Sequence, residues 1–301
     1  MRIFLTGATG FIGSRIIPEL LDAGHQVLGL ARSDPGANAV AAAGAEVHRG
    51  TIEDPASIRA GAALADAVIH TAFDHDFSRF AANCEKDRRV IEALGSELKG
   101  SGRPLLITSG TAIGSPGDGG PAVEDVLDRD HPAPRIASEL AAQALLEQGV
   151  NVSVMRLPQV HDTERQGFVS FYIRIAAARG VAAFVGEGRN RWPAAHVLDV
   201  AKLYALAIDR GERGARYHAV AEEGIAVRDI AEVVGAGLGL PVVSLTPGEA
   251  PAHFGWMSAF AGLDMPASGS HTRRALGWQP TGPGLLADLR AMDYGAIAAA
   301  G

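Results

Sequence analysis

The chain has 301 residues, of which 47% are hydrophobic and 20% charged, the balance of a globular protein with a sizeable core. The formal net charge is -7 and no basic stripe interleaved with aromatic residues occurs, which argues against a nucleic-acid partner. The single cysteine, Cys84, cannot form an internal disulfide, and no histidine and cysteine cluster has the spacing of a zinc site. We therefore expect a cytoplasmic protein without a bound metal.

The pattern of apolar residues argues against export and membrane insertion. A predicted strand at Arg2 to Thr6 runs directly into a glycine loop, which leaves no room for a signal peptide. Charges or glycines interrupt every apolar stretch before the roughly 20 residues that a membrane span requires. We expect no membrane partner, and a monomer or homodimer that acts on a small molecule.

Short apolar runs alternate with segments of helical period up to Arg156, as in consecutive βαβ units. The predicted strands are Ile3 to Thr6, Gln26 to Leu30, Glu46 to His48, Ala67 to His70, Pro104 to Thr108 and Val152 to Arg156. The predicted helices begin near Phe11, Pro35, Pro55, Phe77 and Ala133. The pattern predicts an α/β fold in which residues 1–156 form a doubly wound parallel sheet.

The regular alternation weakens after Arg156, where glycines and prolines interrupt the chain more often. We interpret residues 157–301 as a smaller C-terminal substrate-binding lobe, some segments of which return to the first domain. Such a lobe covers the carboxyl ends of the strands, where ligands bind in sheets of this kind.

A glycine loop with the sequence Thr6-Gly7-Ala8-Thr9-Gly10-Phe11-Ile12-Gly13 joins the first predicted strand to the first predicted helix. Glycine permits the backbone to approach a pyrophosphate closely, and the free N–H groups and dipole of the helix favour an anion. The loop predicts a Rossmann dinucleotide site. Its predicted cofactor contacts are Gly7, Thr9, Gly10, Phe11, Ile12 and Gly13.

The end of the second predicted strand indicates which dinucleotide is bound. NAD-preferring sites usually carry an acid there, which bonds the ribose 2'-hydroxyl. This chain has Arg32 and Ser33, and an arginine fork suits a 2'-phosphate. The residues favour NADP, with NAD less likely. The alternative is that Arg32 is a surface residue and Asp34 takes the ribose.

The loop spacing G-x-x-G-x-x-G after a threonine resembles that of the short-chain dehydrogenases, especially the extended branch of epimerases and dehydratases. Later segments resemble motifs of the same family, in the same order. They are Val68-Ile69-His70-Thr71-Ala72, Leu106-Ile107-Thr108-Ser109-Gly110, Arg156-Leu157-Pro158-Gln159-Val160, the histidine and aspartate region from Trp192 to Ala201, and Leu276-Gly277-Trp278-Gln279-Pro280. The resemblance implies further cofactor contacts from Thr51, Ile52, Thr71, Ala72, Phe73, Thr108, Leu157 and Pro158.

The catalytic pair of that family, a tyrosine with a lysine four residues later, is absent. No tyrosine in the chain has a lysine at that spacing. The segment Arg135-Ile136-Ala137-Ser138-Glu139 resembles the motif with both functional residues replaced, and arginine cannot act as an acid or base. Arg135 and Glu139 form either a helix-surface ion pair, or a site in which Glu139 bonds the cofactor ribose and Arg135 anchors the substrate.

Other residues must then supply the chemistry. Ser109 keeps the position of the family's active-site serine and can polarise a carbonyl. His161, with an imidazole suited to proton transfer, and Tyr172 are the candidate proton donors. The predicted catalytic residues are thus Ser109, His161 and Tyr172. The predicted substrate contacts are Ser109, Arg135, His161, Tyr172, Arg191, Trp192 and His196.

These residues together predict an NADP(H)-dependent oxidoreductase that acts on a small carbonyl-like substrate with a non-standard proton donor. The first alternative is a non-catalytic NADP-binding redox sensor, because a fold alone does not imply turnover. A sugar-nucleotide epimerase or dehydratase is a weaker alternative, since those reactions depend on the missing tyrosine.

Overall fold

The computed structural model describes residues 1–295. Within this range the strands are β1 (Arg2–Thr6), β2 (Gln26–Ala31), β3 (Glu46–Arg49), β4 (Ala67–His70), β5 (Leu105–Gly110), β6 (Val152–Leu157), β7 (Gln159–His161), β8 (Ala182–Val185), β9 (Arg191–His196), β10 (Arg216–His218), β11 (Glu222–Ala226) and β12 (Val242–Leu245). The helices are α1 (Gly13–Asp22), α2 (Asp34–Ala42), α3 (Pro55–Ala63), α4 (Phe80–Leu98), α5 (Ile136–Glu147), α6 (Gly167–Arg179), α7 (Val197–Arg210), α8 (Val227–Leu238), α9 (Ala250–Phe254), α10 (Ser258–Ala261), α11 (Ser270–Leu276) and α12 (Leu285–Ala291).

Seven parallel strands form the central sheet of the described chain, in the order β10-β6-β5-β4-β1-β2-β3. Ile3, Phe4 and Leu5 of β1 are fully buried, because helices cover both faces of the sheet. Helices α1 and α7 contribute to the hydrophobic core on one face, and α3, α4 and α5 to the core on the other. The structure confirms the predicted doubly wound α/β sheet.

The part of the chain after Arg156 contributes to two layers. Strand β10 extends the central sheet beside β6, and α7 packs on α1. The remaining segments form a smaller lobe, with one sheet of β7, β9 and β11 and a pair of strands, β8 and β12. This lobe has its own core, in which Trp192, Ile230 and Leu289 are buried together.

Two helices begin later than the sequence predicts, and backbone chemistry explains one of them. Helix α5 begins at Ile136 rather than near Ala133. Ala133 precedes Pro134, and the proline ring disfavours the helical conformation of the residue before it. The helix predicted near Phe77 begins there as a single 3-10 turn, and α4 follows from Phe80.

A buried charge cluster fixes α5 against the sheet. Glu139 on α5 is fully enclosed and forms an ion pair with Arg156 of β6, at 2.6 Å between Oε1 and Nε. Arg216 of β10 lies 3.0 Å from the other carboxylate oxygen. Burial acts to raise the pKa of Glu139, but the two arginines outweigh it and hold the pKa below its ordinary value. Glu139 therefore does not form a surface pair with Arg135, and that prediction is wrong. Its contact with the cofactor ribose stays a prediction.

Replacement of Glu139 should test this cluster. We expect Glu139→Gln to lower the free energy of unfolding at neutral pH by about 3–5 kcal/mol, because it leaves Arg156 buried without its counter-ion. The pKa of Glu139 is lower in the folded than in the unfolded state, so its carboxylate stabilises the fold fully above the ordinary glutamate pKa of about 4.3. This stabilisation is lost as the pH falls through the folded-state pKa. Urea unfolding at several pH values should show wild type and variant converging in acid.

The matched control is Glu147→Gln, on the same helix but exposed, which should change stability little. Dinucleotide affinity of the folded Glu139→Gln protein should stay at the wild-type level. A stable variant with weakened dinucleotide binding would contradict the structural role of Glu139 and support its predicted contact with the ribose.

Candidate functional site

The glycine loop between β1 and α1 is held by its neighbours and open on one side. Gly7 has a φ of 73°, and a Cβ there would lie 2.6 Å from Oγ1 of Thr71. A Cβ on Gly13 would collide with the carbonyl oxygen of Gly7. Gly10 differs, because its Cβ would meet only that same oxygen, at 3.1 Å, and the residue is exposed. Packing requires glycine at positions 7 and 13, whereas the space beside Gly10 is free for a ligand.

The start of α1 also fits a dinucleotide. No side chain caps the helix, so the N-terminal N–H groups have no side-chain acceptor. Thr9 is exposed, and Phe11 and Ile12 are half-buried at the same turn. Uncapped N–H groups beside a space kept open by Gly10 suit the phosphates of a bound dinucleotide.

Two arginines lie at the adjacent ends of β2 and β3. Arg32 is exposed directly after the strand, and Ser33 caps α2 by accepting the N–H of Gly36. Arg49, at the end of the adjacent β3, donates to the carbonyl oxygen of Ser33 and to the carboxylate of Asp34, both at 2.6 Å. Sequence reasoning missed Arg49. The signal for it is the parallel pairing of β2 with β3, which sets Ala31 beside Arg49.

The centre of the crevice holds Arg135 in a fixed position. Its guanidinium forms an ion pair with Asp87 at 3.0 Å, donates to the carbonyl oxygen of Thr108 at 2.7 Å, and lies 4.2 Å over the ring of Phe73. Thr108 is at the carboxyl end of β5 and Phe73 follows β4, so these contacts lie at the edge of the sheet where ligands bind. Arg135 is thus fixed at this edge of the sheet, and its contact with a substrate stays a prediction.

A buried hydrogen-bond network supports Asp87. The carboxylate is 3.0 Å from Nε2 of His70 and accepts the hydroxyl of Ser138 at 2.5 Å. Nδ1 of His70 lies 2.6 Å from the hydroxyl of Thr6. Burial acts to raise the pKa of Asp87, but the charge of Arg135 and the bond from His70 outweigh it and lower the pKa. The network connects the start of the glycine loop to Arg135.

Strand β5 positions the predicted serine. The hydroxyl of Ser109 is buried and has no hydrogen-bond partner among the described residues. The hydroxyl of Thr108 donates to the carbonyl oxygen of His70 and lies 2.7 Å from the hydroxyl of Tyr204. Because a buried hydroxyl without a partner is unfavourable, Ser109 is suited to bond a ligand group.

The remaining predicted cofactor contacts follow the strands at the same edge. Thr71, Ala72 and Phe73 follow β4 and are half-buried, as are Leu157 and Pro158 at the end of β6. Thr51 and Ile52, also half-buried, come directly after β3.

Two predicted proton donors are buried in the lobe. His161 is fully buried, with Nδ1 bonded to Asp288 at 2.7 Å, and burial lowers its pKa. Tyr172 is buried in the lobe, donates its hydroxyl to the carbonyl oxygen of Ala183, and has a pKa raised by burial. The lobe encloses both side chains, and Nε2 of His161 has no hydrogen-bond partner among the described residues. The catalytic and substrate-binding roles of His161 and Tyr172 stay predictions.

The cluster around Trp192 also has a structural role. Trp192 is buried in the core of the lobe, and Arg191 pairs with Asp264 at the surface, at 2.8 Å. His196 caps α7 by accepting the N–H of Leu198. These contacts occupy the side chains of Arg191 and His196, whereas the buried Nε1 of Trp192 has no hydrogen-bond partner among the described residues. The roles of the three residues as substrate contacts stay predictions.

Sequence reasoning set aside a histidine that the structure makes relevant. His131 lies four residues before Arg135, the spacing of the family's tyrosine and lysine. Its Nδ1 accepts the N–H of Ala133 at 3.1 Å, which leaves the proton of the neutral ring on Nε2. His131 and Arg135 both precede α5, which begins at Ile136, so the four residues between them do not form a helical turn.

The part of the chain that the structure describes contains neither a metal-binding cluster nor a membrane-spanning helix. Residues 1–295 contain no group of three or more histidine, cysteine, aspartate or glutamate residues that could hold a metal ion. No helix in that range is long and apolar enough to cross a membrane.

Comparison with known proteins adds relatives of two kinds. Protein C2A9.02 of Schizosaccharomyces pombe, described as uncharacterized, is 45% identical over 296 residues, or 98% of this chain and 100% of that protein. The 4-hydroxy-2-methyl-3-oxo-4-farnesyl-3,4-dihydroquinoline-1-oxide ketoreductase of Stigmatella aurantiaca is 26% identical over 244 residues, or 72% of this chain and 67% of that protein.

Structure and family comparisons agree. The crystal structure of Thermus thermophilus UDP-glucose 4-epimerase in complex with NAD superposes with a TM-score of 0.74 at 21% identity, covering 99% of each chain. The model of the NAD dependent epimerase/dehydratase family matches residues 3–221, more than half of the chain. The chain therefore belongs to the NAD-dependent epimerase/dehydratase family, an NAD(P)-dependent group of extended short-chain dehydrogenases.

Proposed function

We propose that this chain is an NADP(H)-dependent oxidoreductase that interconverts a small carbonyl compound and its alcohol. The observation that carries the proposal is the guanidinium of Arg135, held at the carboxyl edge of the sheet next to the strand end that bears Ser109. A fixed cation beside a hydroxyl without a partner suits a carbonyl oxygen on which negative charge develops. The similarity to a ketoreductase supports the same reaction type.

The preference for NADP is supported by the two arginines at the ends of β2 and β3. Arg49 pairs with Asp34, the acid that would otherwise accept a ribose hydroxyl. Arg32 is exposed beside this pair. A 2'-phosphate bound there would have Arg32 and Arg49 as nearby cations, and Arg49 also pairs with one oxygen of the exposed Asp34 carboxylate.

The chain's own residues orient the carbonyl and stabilise charge on its oxygen. A nicotinamide cofactor in the crevice would supply or accept the hydride. Ser109 donates a hydrogen bond to the carbonyl oxygen, and Arg135 lowers the energy of negative charge at that atom. Asp87 and the carbonyl oxygen of Thr108 hold the guanidinium in place.

The proton comes from His131 in this proposal. Arg135 stays charged, so it cannot exchange a proton near neutral pH. His131 is half-buried, and its bond from Ala133 orients Nε2–H as a donor. An imidazole can donate and accept a proton, as general acid–base catalysis requires.

The four tyrosines argue against the epimerase alternative. Tyr172, Tyr204, Tyr217 and Tyr294 are each 9% exposed or less, and none precedes a lysine by four residues. A sugar-nucleotide epimerase of this family would need such a tyrosine as its base. A non-catalytic NADP-binding sensor shares the cofactor site, and the turnover measurements below separate it from the enzyme.

Cofactor preference should depend on both arginines, in different ways. We expect Arg32→Ala to weaken NADP binding about 10- to 100-fold, because one charge-assisted bond to the 2'-phosphate is lost. NAD binding should stay unchanged. Arg49→Ala should also weaken NADP and should strengthen NAD, because it frees Asp34 for the ribose. Calorimetry with both dinucleotides on each variant tests this, and equal losses for both cofactors in both variants would refute it.

Dinucleotide binding should also depend on the open side of Gly10. We expect Gly10→Val to abolish NADP binding in a folded protein, because the branched side chain fills the space beside the uncapped helix start. Circular dichroism and NADP titration measure the two properties. The control, Gly13→Val, should instead destabilise the fold, since its Cβ collides with backbone. If the folded Gly10→Val protein bound NADP as tightly as the wild type, the assignment of the glycine loop as the phosphate-binding site would be wrong.

Turnover should depend on His131. We expect His131→Gln to lower kcat on the order of 100-fold and to remove one limb of the pH–rate profile. Arg135→Lys should raise the substrate KM more than it lowers kcat, since lysine retains the charge beside Asp87 but loses the planar fork. Steady-state NADPH oxidation with a carbonyl substrate measures both.

The control for that experiment is His161→Gln, which should lower the melting temperature and retain turnover, because His161 is enclosed by the lobe. Loss of turnover in folded His161→Gln with full activity in His131→Gln would overturn the assignment. Absence of turnover with every carbonyl, together with tight NADP binding, would favour the sensor.

A further inference from the structure

Six aromatic side chains meet where the lobe faces the crevice. We define the aromatic cluster as Phe77, Phe80, Phe168, Phe171, Trp256 and Phe260. The first two come from the segment after β4, the next two from α6, and the last two from the segment around α10. The cluster is therefore assembled from both parts of the chain.

The rings contact one another closely. Phe77 and Trp256 are parallel within 5°, with centroids 4.7 Å apart, and Phe168 and Phe260 stack at 4.8 Å. Phe171 meets both Phe77 and Trp256 edge to face at 5.3 Å. These are the favourable geometries of aromatic pairs, and they form a continuous surface of ring faces and edges.

The aromatic cluster is continuous with the catalytic crevice. Phe80 contacts Phe73 at 6.2 Å, and Phe73 lies under the guanidinium of Arg135 at 4.2 Å. A chain of ring contacts thus leads from Arg135 to Trp256. A molecule whose carbonyl approaches Arg135 and Ser109 has this surface next to it.

The cluster lies at the edge of the core of the lobe, against which Phe168 and Phe171 pack. All five of its phenylalanines are half-buried, and Trp256 is 37% exposed. The chain has ten phenylalanines, and only Phe4, Phe184 and Phe254 are buried in its cores. Most of the aromatic surface therefore lies partly open beside the crevice, although burying it would stabilise the fold. An open apolar surface with a few convergent polar groups is the usual form of a small-molecule site.

We propose that the aromatic cluster is the specificity surface for the substrate and that the substrate is a small aromatic ketone. This inference rests on the proposed function and adds the substrate class. The aryl ring stacks on the cluster while the carbonyl faces Ser109 and Arg135. The carbonyl carbon gains the hydride that NADPH loses and its oxygen gains a proton, which gives a secondary alcohol and NADP⁺.

The test uses two ketones of equal size, acetophenone and cyclohexyl methyl ketone. They carry the same carbonyl group and differ only in whether the ring is aromatic. Binding to the NADP complex is measured by tryptophan fluorescence. Trp192 and Trp278 are buried, so quenching by the ligand reports mainly on Trp256. Calorimetry serves for variants that lack Trp256, and NADPH consumption is followed separately.

The variants are Trp256→Leu and Phe77→Leu, with Trp256→Phe as the conservative replacement. Leu263→Ala is the matched control, because Leu263 is 49% exposed in the same lobe and lies outside the aromatic cluster. Melting temperature and NADP affinity of each variant verify that the fold and the cofactor site are intact.

We expect the wild type to bind acetophenone at least tenfold more tightly than the cyclohexyl ketone. Trp256→Leu and Phe77→Leu should reduce that ratio to near one, while Trp256→Phe and Leu263→Ala should retain it. Equal binding of the two ketones by the wild type, no detectable binding of either, or an unchanged ratio in both leucine variants would overturn the inference.

Turnover separates this inference from the proposed function. Selective aryl binding without NADPH consumption supports the aromatic site and refutes the reaction. Consumption of NADPH with both ketones at equal efficiency supports the reaction and refutes the aromatic site.

Discussion

The carboxylate of Asp87 is enclosed between α4 and the sheet, and the crevice is built around its charge. An isolated buried carboxylate is strongly unfavourable, so it requires a cation and hydrogen-bond donors. Arg135 supplies the cation, and His70 and Ser138 supply the bonds. The same pair fixes the guanidinium at the end of β5. Without Asp87, the flexible arginine side chain has no reason to adopt this one position.

Local pattern predicts the fold well because the central strands are short and apolar and the glycine loop has few alternative conformations. The strands β1 to β6 begin and end within about two residues of their predicted bounds, since burial on both faces requires continuous apolar runs. The helix starts are less accurate. The start of α5 depends on backbone restriction by Pro134, and its effect on Ala133 is visible in the sequence only when the proline is considered explicitly.

Side-chain direction is what the sequence alone does not determine. Arg135 and Glu139 are four residues apart, yet one reaches the crevice and the other the buried arginines. Their partners, Asp87 and Arg156, are distant in sequence, so no local pattern identifies them. The hydrogen bond of Tyr172 is not predictable for the same reason, because its hydroxyl partner, Ala183, lies in a strand of the lobe that the sequence did not predict. Residues on the strand ends, such as Ser109, are predictable because the topology brings those ends together.

In the proposed reaction, a histidine and an arginine would take over the tasks of the family's tyrosine and lysine, and this would change how a carbonyl is activated. In the usual pair, the lysine lowers the pKa of a tyrosine that is otherwise near 10, so one unit must both bind the oxygen and move the proton. Here these tasks would be divided. Arg135 has a permanent charge that stabilises an oxyanion at any pH near neutral, and an imidazole can donate the proton. Since Asp87 balances the arginine, the crevice gains a fixed cation without an isolated buried charge. In the proposed reaction, the acid would need only to donate a proton as negative charge develops on the oxygen, so a reductase of this kind would not require a tyrosine in contact with the substrate.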